Sequence, residues 1–170
     1  MDSLVPQQGD LVLIQGYSFT SRAIRVAEYL VDGWHSPWNH VATVSRYKDD
    51  VMMIVEAEPG GAVEVPWHYQ HHLVQFSTGI LPPCPAAGEA ALACVGTGYS
   101  YLDYAAIGLR KLHIPAPGLR DFIADTGHMQ CAQLAARIRF DAGKPLWPGR
   151  WTGYDMPSDI GKLMVKGTGK

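Results

Sequence analysis

The stretch from residue 40 to residue 67, HVATVSRYKDDVMMIVEAEPGGAVEVPW, decides the fold. It contains three runs of strand composition: His40 to Tyr47, rich in Val and Thr; Val51 to Ala57, nearly all apolar; and the short Ala62 to Val65. β-Branched side chains suit the pleated surface of a sheet, and short apolar runs bounded by turn residues read as strands. Lys48-Asp49-Asp50 and Pro59-Gly60-Gly61 separate the runs. Both are turn chemistry, and neither is long enough for the crossover that parallel neighbours require. An antiparallel meander is the economical reading.

Toward the N-terminus, the turn pair Gly9-Asp10 precedes Leu11 to Gln15, another apolar run of strand length. Between this run and His40 the spacing predicts a helix from Ser21 to Val31. Ile24, Ala27, Tyr29 and Leu30 form its apolar stripe, Ser18, Thr20 and Ser21 offer caps, and Asp32-Gly33 stops it. Toward the C-terminus, Pro82, Pro83 and Pro85 make a rigid connector into a helical half. Helices are expected from Glu89 to Val95, from Tyr101 to Leu112, and from about His128 to Phe140. In the last of these, Leu134, Ala135 and Ile138 share a side. That helix is the last clear one; the tail after it, from Gly143, is rich in Gly, Pro and Trp, with Gly167 to Lys170 fraying. The expected fold is α+β, one domain over residues 1–170, with a small, partly barrel-like antiparallel sheet packed against helices.

Composition narrows the function. A chain of 170 residues, 47% hydrophobic and 18% charged, can bury a core without staples. A net charge of −2 gives no general attraction to nucleic acid or to an anionic membrane. No apolar run is long enough to span a bilayer as a helix. Cys84, Cys94 and Cys131 are an odd set at irregular spacing, which is neither a disulfide framework nor a zinc motif. MDSLVPQQGD lacks the basic start and apolar core of a signal peptide. The expectation is a cytoplasmic protein, or one released without a cleaved signal.

Three residues carry candidate chemistry. Cys131, in HMQCAQLAARI, falls in the first turn of the last predicted helix, where the dipole and unpaired N–H groups favour a thiolate. A small buried apolar residue is the bland alternative. His40 opens a strand, from which its ring can be presented rigidly to a helix N-terminus; an ordinary half-buried histidine is the alternative. Glu56 stands in the apolar run VMMIVEAE, where a carboxylate needs a partner. If the two strands form a hairpin, His40 and Glu56 can be cross-strand neighbours, and Glu56 can orient the imidazole. Glu58 shares its strand face and is the fallback. Tyr17, Trp34 and Trp38 flank His40 and either wall a cleft or cap the core. His68, His71 and His72 in WHYQHH are a weaker constellation. No carboxylate or thiol completes a metal set at the usual sequence spacing, so neither metal nor cofactor is expected.

In order, GDLVLI, NHVATV, VEAEPGGAVEVPW and QCAQLAARI resemble the YiiX/YaeF-like permuted enzymes of the NlpC superfamily of papain-like cysteine peptidases. In that permuted group the histidine and the acid precede the cysteine, as they do here. The resemblance spans roughly residues 9 to 140. It implies a circularly permuted papain-like fold and a triad of Cys131, His40 and Glu56. It also implies that GYSYLDYAAI, with Tyr99 and Tyr101, helps to form the substrate cleft. The implied activity is hydrolysis of a peptide, isopeptide or acyl amide, a peptidoglycan stem being the leading substrate class. Acyl transfer, lipid-ester or thioester cleavage on the same fold, and an inactive binding module, are the alternatives. Where the family has a serine after the cysteine, this chain has Ala132; Gln133 fits the polar position that follows.

Overall fold

In a computed structural model that describes residues 5–98, 129–150, 153 and 155–167, the chain is an α+β protein. Its strands are β1 (Leu11–Gln15), β2 (His40–Lys48), β3 (Val51–Glu58), β4 (Gly61–Pro66) and β5 (Leu73–Phe76). They form one antiparallel sheet in the order β4-β3-β2-β1-β5. Four helices lie among the described residues: α1 (Phe19–Asp32), α2 (Ala86–Ala93), α3 (Cys131–Asp141) and α4 (Pro157–Gly167). None is long and apolar enough to cross a membrane.

The meander forms as its turn chemistry predicts. Lys48 pairs with Val51, and Asp49 and Asp50 between them take positive φ of 51° and 63°. Two left-handed residues in a two-residue loop match the twist of the strands they join, and Asp tolerates that conformation better than most residues. Ala42 pairs with Glu56, and Ile14 with His40. His40 is therefore a cross-strand neighbour of Glu56, one diagonal step away on the same face.

Both sheet faces are covered. Leu11, Leu13, Val41 and Val55 pack against Ala87 and Ala91 of α2, Leu134 and Ile138 of α3, and Ile160 and Met164 of α4. Val12, Ile14, Ala42 and Ile54 pack on the other face with Trp67, Tyr69 and Phe76, which the β4–β5 connection and β5 bring beneath it. A two-faced core explains why the strands read as nearly continuous apolar runs rather than strict alternation.

Gly9-Asp10 anchors β1. Gly9 has φ of 83°, and a Cβ there would lie 1.8 Å from the Cys84 carbonyl oxygen, so only glycine fits. Asp10 is buried and accepts from the Ser77 hydroxyl at 2.9 Å, the Thr78 hydroxyl at 2.6 Å and the Gln7 amide at 2.7 Å. These charge-assisted bonds tie the start of β1 to the segment leaving β5.

Two expectations need correction, and one element is additional. The tail after Gly143 contains α4, which buries Ile160 and Met164. Its Gly161 is a packing residue: an added Cβ would meet the Trp38 ring at 2.8 Å and the Trp34 ring at 3.2 Å. β5 was not foreseen, because LVQF is a four-residue edge strand between a histidine cluster and a turn. Helix α1 is capped by Ser18, whose hydroxyl accepts from Ser21 N–H at 3.0 Å, and it ends at left-handed Gly33. Among its described side chains the buried one, however, is Glu28, while Tyr29 and Leu30 of the expected stripe lie exposed. The predicted Tyr101 to Leu112 helix lies outside the described residues.

Candidate active site

His40, Glu56 and Cys131 arrive from β2, β3 and the start of α3. His40 Nε2 lies 2.7 Å from Glu56 Oε2. A carboxylate only accepts, so Nε2 carries a proton and donates it to Glu56. Glu56 is 1% exposed and receives a second bond, 2.8 Å, from the Tyr69 hydroxyl. Cys131 is the other group acting on the His40 ring, as an acceptor and a counter-charge. With Nε2 committed to Glu56, Nδ1 is the nitrogen left to exchange a proton with the thiol. The three side chains thus form one line of coupled groups, Glu56–His40–Cys131.

The electrostatics follow from this geometry. Burial alone would lower the His40 pKa, but hydrogen bonds and charge from Cys131 and Glu56 outweigh it and raise the ring from 6.5 to about 10. Burial likewise acts to raise the Glu56 carboxyl, and the bonds from His40 and Tyr69 reverse it, holding the group below its ordinary value of 4.5. Tyr69 is pushed up, first by burial and then by the Glu56 charge, so its hydroxyl stays a donor.

The sign of the linkage is therefore set. A histidine with a raised folded pKa stabilises the fold fully below its unfolded pKa, here 6.5, and loses that contribution as pH climbs through about 10. Glu56, with a lowered pKa, contributes above 4.5 and loses its share as pH falls through its folded value. Wild type should therefore exceed His40→Ala in urea-unfolding stability by most between about 4.5 and 6.5, with the gap closing toward pH 10. Urea titrations across that range, with a chelator present, measure it; a gap constant from pH 6.5 to 10 would contradict the pairing.

The thiol's mount is more elaborate than the sequence suggested. Cys131 is the first residue of α3, and Gln130, in extended conformation, is its N-cap. The Gln130 side-chain oxygen accepts from Ala132 N–H at 2.9 Å and lies 3.5 Å from the Cys131 sulfur, while Gln133 reaches back to Gln130 N–H at 2.8 Å. This is a capping box built from two glutamines. Both amide groups also grip the C-terminal segment: Gln130 Nε2 donates to the Asp155 carbonyl, and Gln133 Nε2 to the Gly153 carbonyl at 2.6 Å. The Ala132 N–H, consumed by the cap, is not offered to a substrate.

Beside His40 lies an open cleft of about 390 Å³, bordered by Tyr17, Ser18, Ser21, Glu58, Tyr69 and His72 among others. Tyr17 is half exposed and stacks on His72 with ring centroids 5.3 Å apart. Trp38 is 6% exposed and belongs to the core rather than to the cleft wall. Tyr99 and Tyr101 lie outside the described residues. Cys131 itself is 2% exposed, so the His40 ring, with 18% of its side chain exposed, is the part of the line that meets the cleft.

Glu58 is exposed at the end of β3, and the histidine is held by Glu56 instead. The structure also supplies the carboxylates that the WHYQHH reading lacked. His68 Nε2 approaches Glu56 Oε1 at 3.6 Å, and ligand atoms of Glu56, Glu58 and His68 lie within 4.8 Å of one another. His71 is exposed, and His72 turns to Tyr17. Tyr69 and Gln130 escaped the sequence analysis. The signal for Gln130 was present, since a glutamine just before a predicted helix with another three residues on is a weak capping box.

No protein-family model matches the chain, and no curated protein matches it either.

Proposed function

We propose that this chain is a cysteine hydrolase with a permuted papain-like fold, cleaving an amide bond through Cys131, His40 and Glu56. The observation that carries the proposal is the buried Glu56 carboxylate bonded at 2.7 Å to His40, whose ring is held charged with the help of a cysteine at a helix N-terminus. Such a line has a use: the carboxylate fixes the ring, the ring holds the thiol's proton, and the helix start favours the thiolate. The Cys131 thiolate attacks the carbonyl carbon, and the His40 imidazolium protonates the leaving amine as the C–N bond breaks. His40 then takes a proton from water, whose oxygen attacks the thioester and releases the carboxylic acid and the thiol. Backbone N–H groups at the start of α3, with that of Cys131 foremost, are the candidates for holding the oxyanion. The resemblance in GDLVLI, NHVATV, VEAEPGGAVEVPW and QCAQLAARI makes a peptide or isopeptide amide, such as a peptidoglycan stem, the leading substrate.

One observation favours a second reading. At 2% exposure Cys131 is poorly placed to meet a substrate without movement, as in a binding module that kept the fold and lost the activity. Turnover decides between the two. Peptide, isopeptide, ester and thioester substrates are incubated with wild type and Cys131→Ala, and the products are identified by mass. A free carboxylate formed by wild type alone supports hydrolysis, and a product joined to an added amine or alcohol indicates acyl transfer instead. Equal products from both proteins, or none from either, favour the binding module.

A further inference from the structure

The second oxygen of Glu56 faces a different group from the first. Oε2 is taken by His40 and Tyr69, but Oε1 has no hydrogen-bond partner although the Glu56 side chain is 0% exposed. A buried, unpartnered carboxylate oxygen is costly and asks for a cation. The group facing it is His68 Nε2, at 3.6 Å. His68 Nδ1 lies 3.0 Å from the Pro66 carbonyl oxygen, which can only accept, so Nδ1 carries the proton. In the neutral ring Nε2 then presents a lone pair toward Oε1. A carbonyl that accepts from one ring nitrogen commonly orients an imidazole whose other nitrogen binds a metal. The separation is longer than the roughly 2.7–3.2 Å of a hydrogen bond. It is close to the edge of a ligand tetrahedron, about 3.4 Å for metal–ligand bonds of about 2.0–2.1 Å. Glu58, two residues along the strand on the same face, supplies the third ligand within the 4.8 Å cluster. Glu58 and His68 are both exposed, which leaves a path for the ion and room for water at an open position.

We infer that Glu56, Glu58 and His68 form a binding site for one divalent transition-metal ion. The imidazole favours zinc over magnesium or calcium, which prefer all-oxygen sites. Because Oε2 of the same carboxylate holds His40, an ion on Oε1 draws charge away from that ring, and the metal is thereby coupled to the His40–Cys131 pair. The site does not depend on the proposed hydrolase activity.

Calorimetric titration of zinc chloride into the full chain tests it, in the Cys131→Ala background so that a cysteine–histidine pair cannot capture the ion. The expected result is saturable uptake of one ion per chain. His68→Ala and Glu58→Gln, both exposed positions, should each weaken uptake by about tenfold or more, while His71→Ala should leave it unchanged. Thermal melts confirm that each variant is folded. No saturable uptake, or uptake indifferent to both ligand substitutions, overturns the site and leaves His68 as a plain neighbour of Glu56. Either failure leaves the hydrolase reading intact, since the nucleophile is absent from the experiment.

Discussion

Glu56→Gln is expected to reduce turnover by about 10²–10⁴-fold, the range over which positioned acid–base catalysis operates. The expectation follows from what the amide would do to His40. A carboxylate at 2.7 Å accepts the Nε2 proton and supplies the counter-charge for the imidazolium. Glutamine supplies no charge, and its amide can present an N–H toward Nε2, which selects the wrong tautomer and turns Nδ1 from acceptor into donor. Burial, which alone would lower the His40 pKa, would then lack one of its two opponents, and the ring would lose its proton more readily. Glu58→Gln, assayed with a chelator present, should do much less, because Glu58 is exposed at the strand end and does not hold the ring. Breaking a buried ion pair also destabilises the fold, by about 3–5 kcal/mol. The rates are therefore compared at a temperature where unfolding curves show both variants native. The opposite ranking would pass the role to Glu58. If neither substitution changed the rate, the triad would lose its third member.

The meander was legible because its signals are local. Asp49-Asp50 and Gly60-Gly61 punctuate apolar runs whose length fits strands, and the pairing follows from the shortness of the turns. What was not legible depends on partners far along the chain. Gly161 has its reason only in the Trp38 and Trp34 rings that lie against it. Leu73–Phe76 has little strand signal of its own and pairs with β1 from the sheet edge. In α1 the pattern gave the helix, but the packing is reversed: Glu28 turns inward and Leu30 outward. Periodicity marks an apolar stripe without saying what will cover it.

The candidate site divides along the same line. A carboxylate in an apolar strand demands a partner, and a histidine sixteen residues earlier across a two-residue turn is within reach. The offset in register could not be read, because a one-residue bulge between Val44 and Arg46 shifts the pairing and brings Glu56 onto the face of His40. Side chains lean along a strand as well as standing off it, which lets His40 meet Glu56 diagonally. Tyr69 and Gln130 were missed for a different reason. Each acts through another residue, Tyr69 by filling a lone pair of Glu56 and Gln130 by capping the helix that carries Cys131. Roles of that kind have no sequence signature until the residue they serve has been placed. The same holds for His68, whose histidine-rich surroundings suggested a metal but whose carboxylate neighbours come from β3.

In the folded protein, iodoacetamide at mildly acidic pH is expected to label Cys131 before Cys84 or Cys94. Exposure alone predicts another order, since Cys131 is 2% and Cys84 5% exposed while Cys94 is the most open of the three. Thiolate character predicts the order stated. At pH 6 an ordinary thiol with a pKa of about 8.5 is ionised to roughly one part in three hundred. Burial, and behind it the charge of Asp141, push Cys94 up, so its thiolate is scarcer still. Cys131 stands at a helix start beside an imidazolium that it helps to hold charged, and that charge in turn favours the thiolate. Part of that gain is returned because a less basic thiolate is a weaker nucleophile. Burial opposes the gain by limiting access, so the measured order weighs activation against concealment. His40→Ala separates the two effects. Removing the ring opens space around the sulfur, so a thiol limited by access would react faster. A thiol that depends on the imidazolium would react slower, by about tenfold or more at this pH, and slower labelling is the expected result. Peptide mapping of the alkylated cysteines reads the outcome. A Cys131 that stays protected until denaturation while Cys94 reacts would mark it as a core residue, and the chain as a fold without a working nucleophile.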